Sequence, residues 1–220
     1  MFRKQWVIIG MAVLLLGSMQ GCAVRIASGA NASKSPYDRR TEEAKNNDTV
    51  SEWKVCSKIN DRFGAKVHVN CKSFNGMLLL AGEVPDEDTK AEIVRLGKDM
   101  PKVKDVRSYL RIAPVATAEA QNKDRVIESA IRSRGKNTGK LNPEHVQVVS
   151  EFGLVFLYGI VSQPEADSAI DVAMVAKGIK GYIPLFEIIT PEQAKALDDE
   201  RTGGNTPTKS LLETLPRAPM

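Results

Sequence analysis

The sequence predicts an α+β protein made of two tandem copies of one small unit, each ordered helix, strand, strand, helix, strand. The first observation behind this is an internal repeat. Asn75-Gly76-Met77-Leu78-Leu79-Leu80-Ala81-Gly82-Glu83-Val84 recurs as Phe152-Gly153-Leu154-Val155-Phe156-Leu157-Tyr158-Gly159-Ile160-Val161, offset by 77 throughout. Val69 and Cys71 likewise match Val146 and Val148, and His68 matches His145. Val103, Val106, Leu110 and Ile112 match Ile179, Tyr182, Phe186 and Ile188 at an offset of 76. One deletion accounts for the change of offset, and self-similarity at a fixed spacing is the mark of a repeated unit. The second observation is that the apolar period switches inside each copy, from helical spacing to alternation and back.

Each element follows from its residues. Val55, Cys56, Ile59 and Phe63 fall at helical spacing in the first copy, as do Val126, Ile127, Ala130 and Ile131 in the second. Val67, Val69 and Cys71 then alternate like a half-buried strand, and Asn75-Gly76 supplies the positive φ angles of a tight hairpin turn. The return strand runs from Met77 to Val84. Gly82 and Gly159, set in otherwise apolar strands, suggest close approach of another backbone or a helix. Asp86 or Asp88 caps the next helix, which carries Ile93, Val94 and Leu96. Pro164 and Glu165 open its counterpart, with Ala169, Val172, Ala173 and Ala176. A third strand closes each unit, Val106 to Ile112 and Ile183 to Ile189. Two helices then cover one face of a three-stranded mixed sheet. His68 and His145 alternate out of phase with Val69 and Val146, which puts both on the uncovered face in a surface role.

The ends read differently. Arg3 and Lys4 precede an apolar run of 11 residues, Val7 to Gly17, about half the ~20 that a membrane-crossing helix needs. Residues 1–21 therefore read as a secretory signal peptide. Met19-Gln20-Gly21-Cys22 resembles the bacterial lipobox, which implies cleavage before Cys22 and lipid on its thiol. The alternative is an uncleaved anchor with an incidental cysteine. Ala23, where the enterobacterial sorting rule looks for Asp, implies the outer membrane. Residues 22–47 read as a lipidated flexible tether ending in Asp38-Arg39-Arg40-Thr41, too poor in apolar surface to fold. The first unit is expected at 48–115 and the second at 120–190. A disordered tail is expected at 191–220, where Gly203, Gly204, Pro207, Pro216 and Pro219 interrupt any pattern.

The 220-residue chain carries a formal charge of +4. The signal peptide holds Arg3, Lys4 and no acid, so the mature chain carries +2 and shows no strong nucleic-acid signature. In an oxidising compartment Cys56 and Cys71 read as a disulfide pair rather than a metal site. Whether they bond is open from sequence. No CxxC, Cys/His cluster or phosphate-cradling glycine loop appears, so no metal and no cofactor is expected. Repeat equivalence argues against catalytic histidines, and Asp86, Asp88, Asp167 and Asp171 are explained as helix caps and solvated faces. No active site is found.

The element order, with Asp124-x-x-Ile127-x-x-x-Ile131, Gly-x-Val-x-Leu-x-Gly at 153–159 and Gly178-Ile179 before the last strand, resembles the BON domain. Two such domains behind a lipobox are similar to the dual BON-domain outer-membrane lipoproteins, of the lipid-binding type associated with division and outer-membrane stress. The resemblance implies an envelope protein facing the periplasm whose second domain meets anionic phospholipid. Ser51, Ser108, Pro184 and the Cys56/Cys71 pair depart from the family pattern.

Binding is thus the better prospect. Arg125, Arg132, Arg134, Lys136 and Lys140 surround Val126 and Ile127 on the first helix of the second unit. Apolar side chains among basic ones suit insertion into an anionic membrane surface. The competing expectation is a solvated loop with Val126 or Ile127 in the core. A second functional expectation is a scaffold that binds envelope proteins and uses lipid only as its tether.

Overall fold

The computed structural model describes residues 38–201. The lipobox-like stretch at Cys22, the expected tether up to residue 37 and the expected tail from residue 202 lie outside the described residues. The first unit comprises α1 (Glu42–Phe63), β1 (His68–Phe74), β2 (Met77–Val84), α2 (Glu87–Lys98) and β3 (Asp105–Ile112). The second comprises α3 (Ala118–Thr138), β4 (Gln147–Glu151), β5 (Leu154–Ser162), α4 (Gln163–Met174) and β6 (Gly181–Ile189), and α5 (Pro191–Arg201) follows. Each unit is a three-stranded mixed sheet, ordered β1-β2-β3 and β4-β5-β6. The hairpin pair is antiparallel and the crossover pair parallel.

The two hairpins turn on Asn75-Gly76 and Phe152-Gly153, with φ of 50° and 84° in the first and 59° and 78° in the second. Asparagine tolerates that region; phenylalanine does so only when its surroundings hold it there. Gly82 and Gly159 have a different cause. A β-carbon on them would lie 1.9 Å and 2.0 Å from the carbonyl oxygens of His68 and His145, so the partner strand crosses directly over each glycine.

One core lies between α1, α2 and the first sheet, with Val55, Ile59, Leu78, Leu80 and Ile93. Another lies between α3, α4 and the second sheet, with Ile127, Ile131, Val155, Leu157 and Val172. A third fills the space between the two sheets, with Phe74, Leu79, Ala81, Phe156, Tyr158 and Ile160. Tyr109 meets Phe156 across it, ring centroids 4.8 Å apart, and Phe74 meets Tyr158 at 5.6 Å. The faces expected to be bare are therefore packed on each other. The order of layers is helices, sheet, sheet, helices.

Three further expectations are corrected here. Residues 38–47, read as the end of the tether, are built into the fold: Thr41 accepts the Ala44 N–H at 3.0 Å and starts α1 at Glu42. Residues 191–201, expected to open a disordered tail, instead form α5, which buries Ala194 and Leu197 in the middle core. His145 is no surface residue but is 6% exposed.

Cys56 of α1 and Cys71 of β1 form a disulfide, with Cα atoms 6.1 Å apart and a sequence separation of 15. A loop of that length should contribute up to ~3 kcal/mol. Urea unfolding with and without reductant measures it, and two alkylatable thiols in the unreduced, unfolded chain would exclude the bond.

Candidate functional site

Helix α3 starts where Thr117 accepts the Ala120 N–H at 3.2 Å and ends at Gly139 in the left-handed conformation. Its buried stripe is Asp124, Ile127, Ile131 and Gly135, at steps of three and four that keep one face inward. The seven residues expected to bind lipid consequently divide. Val126 is 60% exposed beside exposed Arg125; Arg134 and Lys136 are exposed about two to three turns further along the helix, and Lys140 just past its end. Ile127 is a correction: it is 5% exposed and packs in the core, one position round the helix from Val126. Arg132 is half-buried and donates to the Val148 carbonyl at 2.5 Å, which turns it aside from the exposed group. The end of α4 and the loop after it expose Met174 and Val175, 56% and 54%, with exposed Lys177 and Lys180. Gly178 of that loop lies against Ile127.

The corresponding helix of the first unit also shows apolar side chains. Val50, the counterpart of Val126, is 49% exposed and Trp53 is 67% exposed, with exposed Lys54 and Lys58 nearby. Trp53 also lines a cleft of about 640 Å³ between the units, with Arg40, Lys72, Glu128, Arg132 and Tyr158. None of the described helices is long and apolar enough to cross a membrane.

Two charged networks sit inside the protein, and neither was foreseen from the sequence. In the first, Arg39 is bonded to Glu165 at 2.8 and 2.9 Å, to Asp198 at 2.8 and 2.9 Å and to the Ile160 carbonyl at 3.1 Å. His145 Nδ1 lies 3.2 Å from the same Glu165. Burial works against ionising Glu165, but hydrogen bonds from His145, Arg39 and the Ser162 N–H outweigh it and hold the carboxyl well below its ordinary range. The next residue, Arg40, pairs with Asp48 at 2.9 Å and stacks 4.3 Å from the Phe74 ring centroid. The segment before α1 is thus a strap, fixed to the second unit by one arginine and to the first by the next.

In the second network His68 Nδ1 lies 3.1 Å from Glu83 and 3.2 Å from Glu151, a contact between units. Burial, then the charges of Asp124 and Glu83, push Glu151 up to about 8. Two clues were available in the sequence: histidines at repeat-equivalent positions, and a glutamate inside the apolar run that ends β2.

The doubled unit defines the class. The BON domain family matches residues 47–114 and 123–183, one match in each unit, and the chain belongs to that family. The chain is 32% identical over 190 residues to outer membrane lipoprotein DolP of Haemophilus influenzae, covering 85% of this chain and 96% of that protein. It is a dual BON-domain outer-membrane lipoprotein by that likeness. It is also 24% identical over 156 residues to a 21 kDa hemolysin of Actinobacillus pleuropneumoniae, covering 70% of this chain and 80% of that one. A solved structure of CdsD, a structural protein of the type III secretion system of Chlamydia trachomatis, covers 70% of this chain and 98% of its own. That match has 14% identity and a TM-score of 0.28.

Proposed function

We propose that the chain is anchored to the outer membrane by lipid on Cys22, faces the periplasm, and binds anionic phospholipid through the outward face of α3, supporting envelope integrity. The carrying observation is the outward side of α3, where Val126 is exposed beside Arg125 and the helix ends in exposed Arg134 and Lys136, with Lys140 just beyond it. An apolar side chain can enter the headgroup boundary while cations near it gain about 1 kcal/mol each from the anionic surface. Met174 and Val175, with Lys177 and Lys180, repeat that combination at the end of α4 and on the loop whose Gly178 backs onto Ile127.

The test is co-sedimentation with phosphatidylglycerol vesicles of a soluble chain in which Cys22 is replaced by serine. Reversing Arg134, Lys136 and Lys140 to Glu should abolish binding and leave the unfolding midpoint near that of the parent. Added salt should act in the same direction, since exposed charges are screened within ~8 Å at physiological ionic strength. Val126→Ser should lose affinity and keep stability, whereas Ile127→Ser should lose ~2 kcal/mol or more of stability. Equal vesicle binding by parent and charge-reversed chains would instead favour a protein-binding scaffold. The exposed Trp53 at the rim of the cleft between the units is the observation behind that second reading.

A further inference from the structure

We propose that His68, Glu83 and Glu151 form a divalent-cation site, best suited to zinc, that clasps the two BON domains together. His68 comes from β1, Glu83 from β2 and Glu151 from the end of β4, so the three ligands span the interface. Nδ1 of His68 faces carboxylate oxygens at 3.1 and 3.2 Å. That nitrogen carries at most one hydrogen and cannot serve two carboxylates fully. In a tetrahedral zinc site with bonds of ~2.0–2.1 Å, ligand atoms lie roughly 3.3 Å apart. Two edges of that figure are already formed, and all three ligand atoms fall within 4.8 Å of one another. Imidazole with two carboxylates suits zinc or a neighbouring first-row ion better than a thiolate-seeking one.

The surroundings resemble a supporting shell. Arg111 donates to the outer oxygen of Glu83 at 3.2 Å, the Ala116 N–H donates to the other at 3.2 Å, and Asn70 bonds Glu151. Such partners orient ligands and fix their charge. Glu83 and Glu151 have side chains 0% and 5% exposed, while His68 at 26% leaves an approach from solvent.

The second repeat supplies the comparison. His145, equivalent to His68, lies 3.2 Å from Glu165 and 3.5 Å from Asp198, and there a buried arginine, Arg39, binds both carboxylates. Around His68, Arg111 reaches Glu83, while the charges acting most strongly on Glu151 are those of Asp124, Glu83 and Glu128, all acidic. Beside His145 one guanidinium binds both carboxylates, whereas beside His68 the guanidinium of Arg111 binds Glu83 and the surroundings of Glu151 call for a second cation. Sequence spacing hid the group because its ligands are 15 and 83 positions from His68 in the chain.

Titrating Zn²⁺ calorimetrically into the full chain with Cys22→Ser, which leaves no thiol outside the Cys56–Cys71 bridge, tests the site. One ion per chain should bind, and Zn²⁺ should raise the thermal midpoint. Co²⁺ should broaden the ring resonances of His68 and spare those of His145. Glu151→Gln and His68→Gln should each weaken binding by ~10–100-fold or more. The proposal is overturned by absent or non-saturable Zn²⁺ binding, by equal broadening of both histidines, or by unchanged affinity in the two variants. If a variant fails to fold, the parent titration and the broadening pattern decide alone. Vesicle binding by α3 is read separately, so either result stands without the other.

Discussion

Asp124→Ala should cost the second domain on the order of 3–5 kcal/mol, the sum expected when several buried donors lose one charged acceptor. Asp124 is 9% exposed on the inner stripe of α3. One oxygen accepts from the Ser150 hydroxyl at 2.6 Å and the Gly153 N–H at 2.8 Å, and the other from the Phe152 N–H at 3.1 Å. The carboxylate therefore ties the helix to the hairpin turn. The turn needs this tie, because Phe152 holds φ at 59° and a bulky residue gains nothing locally from that conformation. The Arg111 guanidinium, 3.7 Å from the Phe152 ring centroid, gives only outside support. Asp124→Asn keeps one acceptor and should lose about half as much. Urea midpoints measure both, and a loss below ~1 kcal/mol for the alanine variant would exclude this role.

Asp48 does the same work in the first domain. It accepts from the Ser73 hydroxyl at 2.9 Å, the Asn75 N–H at 2.6 Å and the Gly76 N–H at 2.9 Å. Glu52 and Glu128 repeat as a pair, taking the N–H of Ser73 at 3.1 Å and of Ser150 at 2.8 Å. The Asp of the repeat motif is thus a turn clamp, which explains why a polar residue begins each inward helical stripe.

The repeat, the element order and the strand alternation were legible because each depends on local periodicity. The stacking of the two sheets is written in the strands themselves. Met77 to Val84 and Leu154 to Val161 are largely apolar at both odd and even positions. A sheet with one bare face alternates, whereas unbroken apolar strands mean cover on both faces. Helix α5 also announced itself: Thr190-Pro191-Glu192-Gln193 is a reciprocal cap, with Thr190 N–H to Gln193 at 2.8 Å and Gln193 N–H to Thr190 at 3.2 Å. It lies beyond the last strand of the second unit, where the internal repeat gives no signal. Val126 and Ile127 could not be separated by counting apolar residues; the stripe that separates them includes Asp124 and Gly135, which an apolar count omits. Arg39 was beyond reach. Its partners are 126 and 159 residues away, and composition reads an arginine in a polar segment as solvated.

Arg39→Ala should therefore be as damaging as the turn-clamp variant, by ~3–5 kcal/mol, the usual result of removing one partner from a buried ion network. The guanidinium side chain is 2% exposed and holds Glu165 and Asp198 together beside His145. Without it, two carboxylates remain close together, the Ile160 carbonyl loses its donor, and α5 loses its bond to the strap. Arg39→Lys cannot reproduce two bidentate pairs and should recover only part of the loss. The pH dependence gives an independent readout. Burial favours the neutral form of Glu165, but the bonds from His145, Arg39 and Ser162, with the charge of Arg39, hold its carboxyl below its ordinary 4.5. A depressed carboxyl contributes stability that is fully present above its unfolded pKa and is lost as pH falls through its folded value. The parent should therefore weaken steadily as pH falls below about 4.5, and Arg39→Ala should show a shallower acid slope from a lower starting point. Urea midpoints taken from neutral to acid pH measure both quantities. An Arg39→Ala chain with the parent's stability and the parent's acid slope would show that the strap does not hold the two domains.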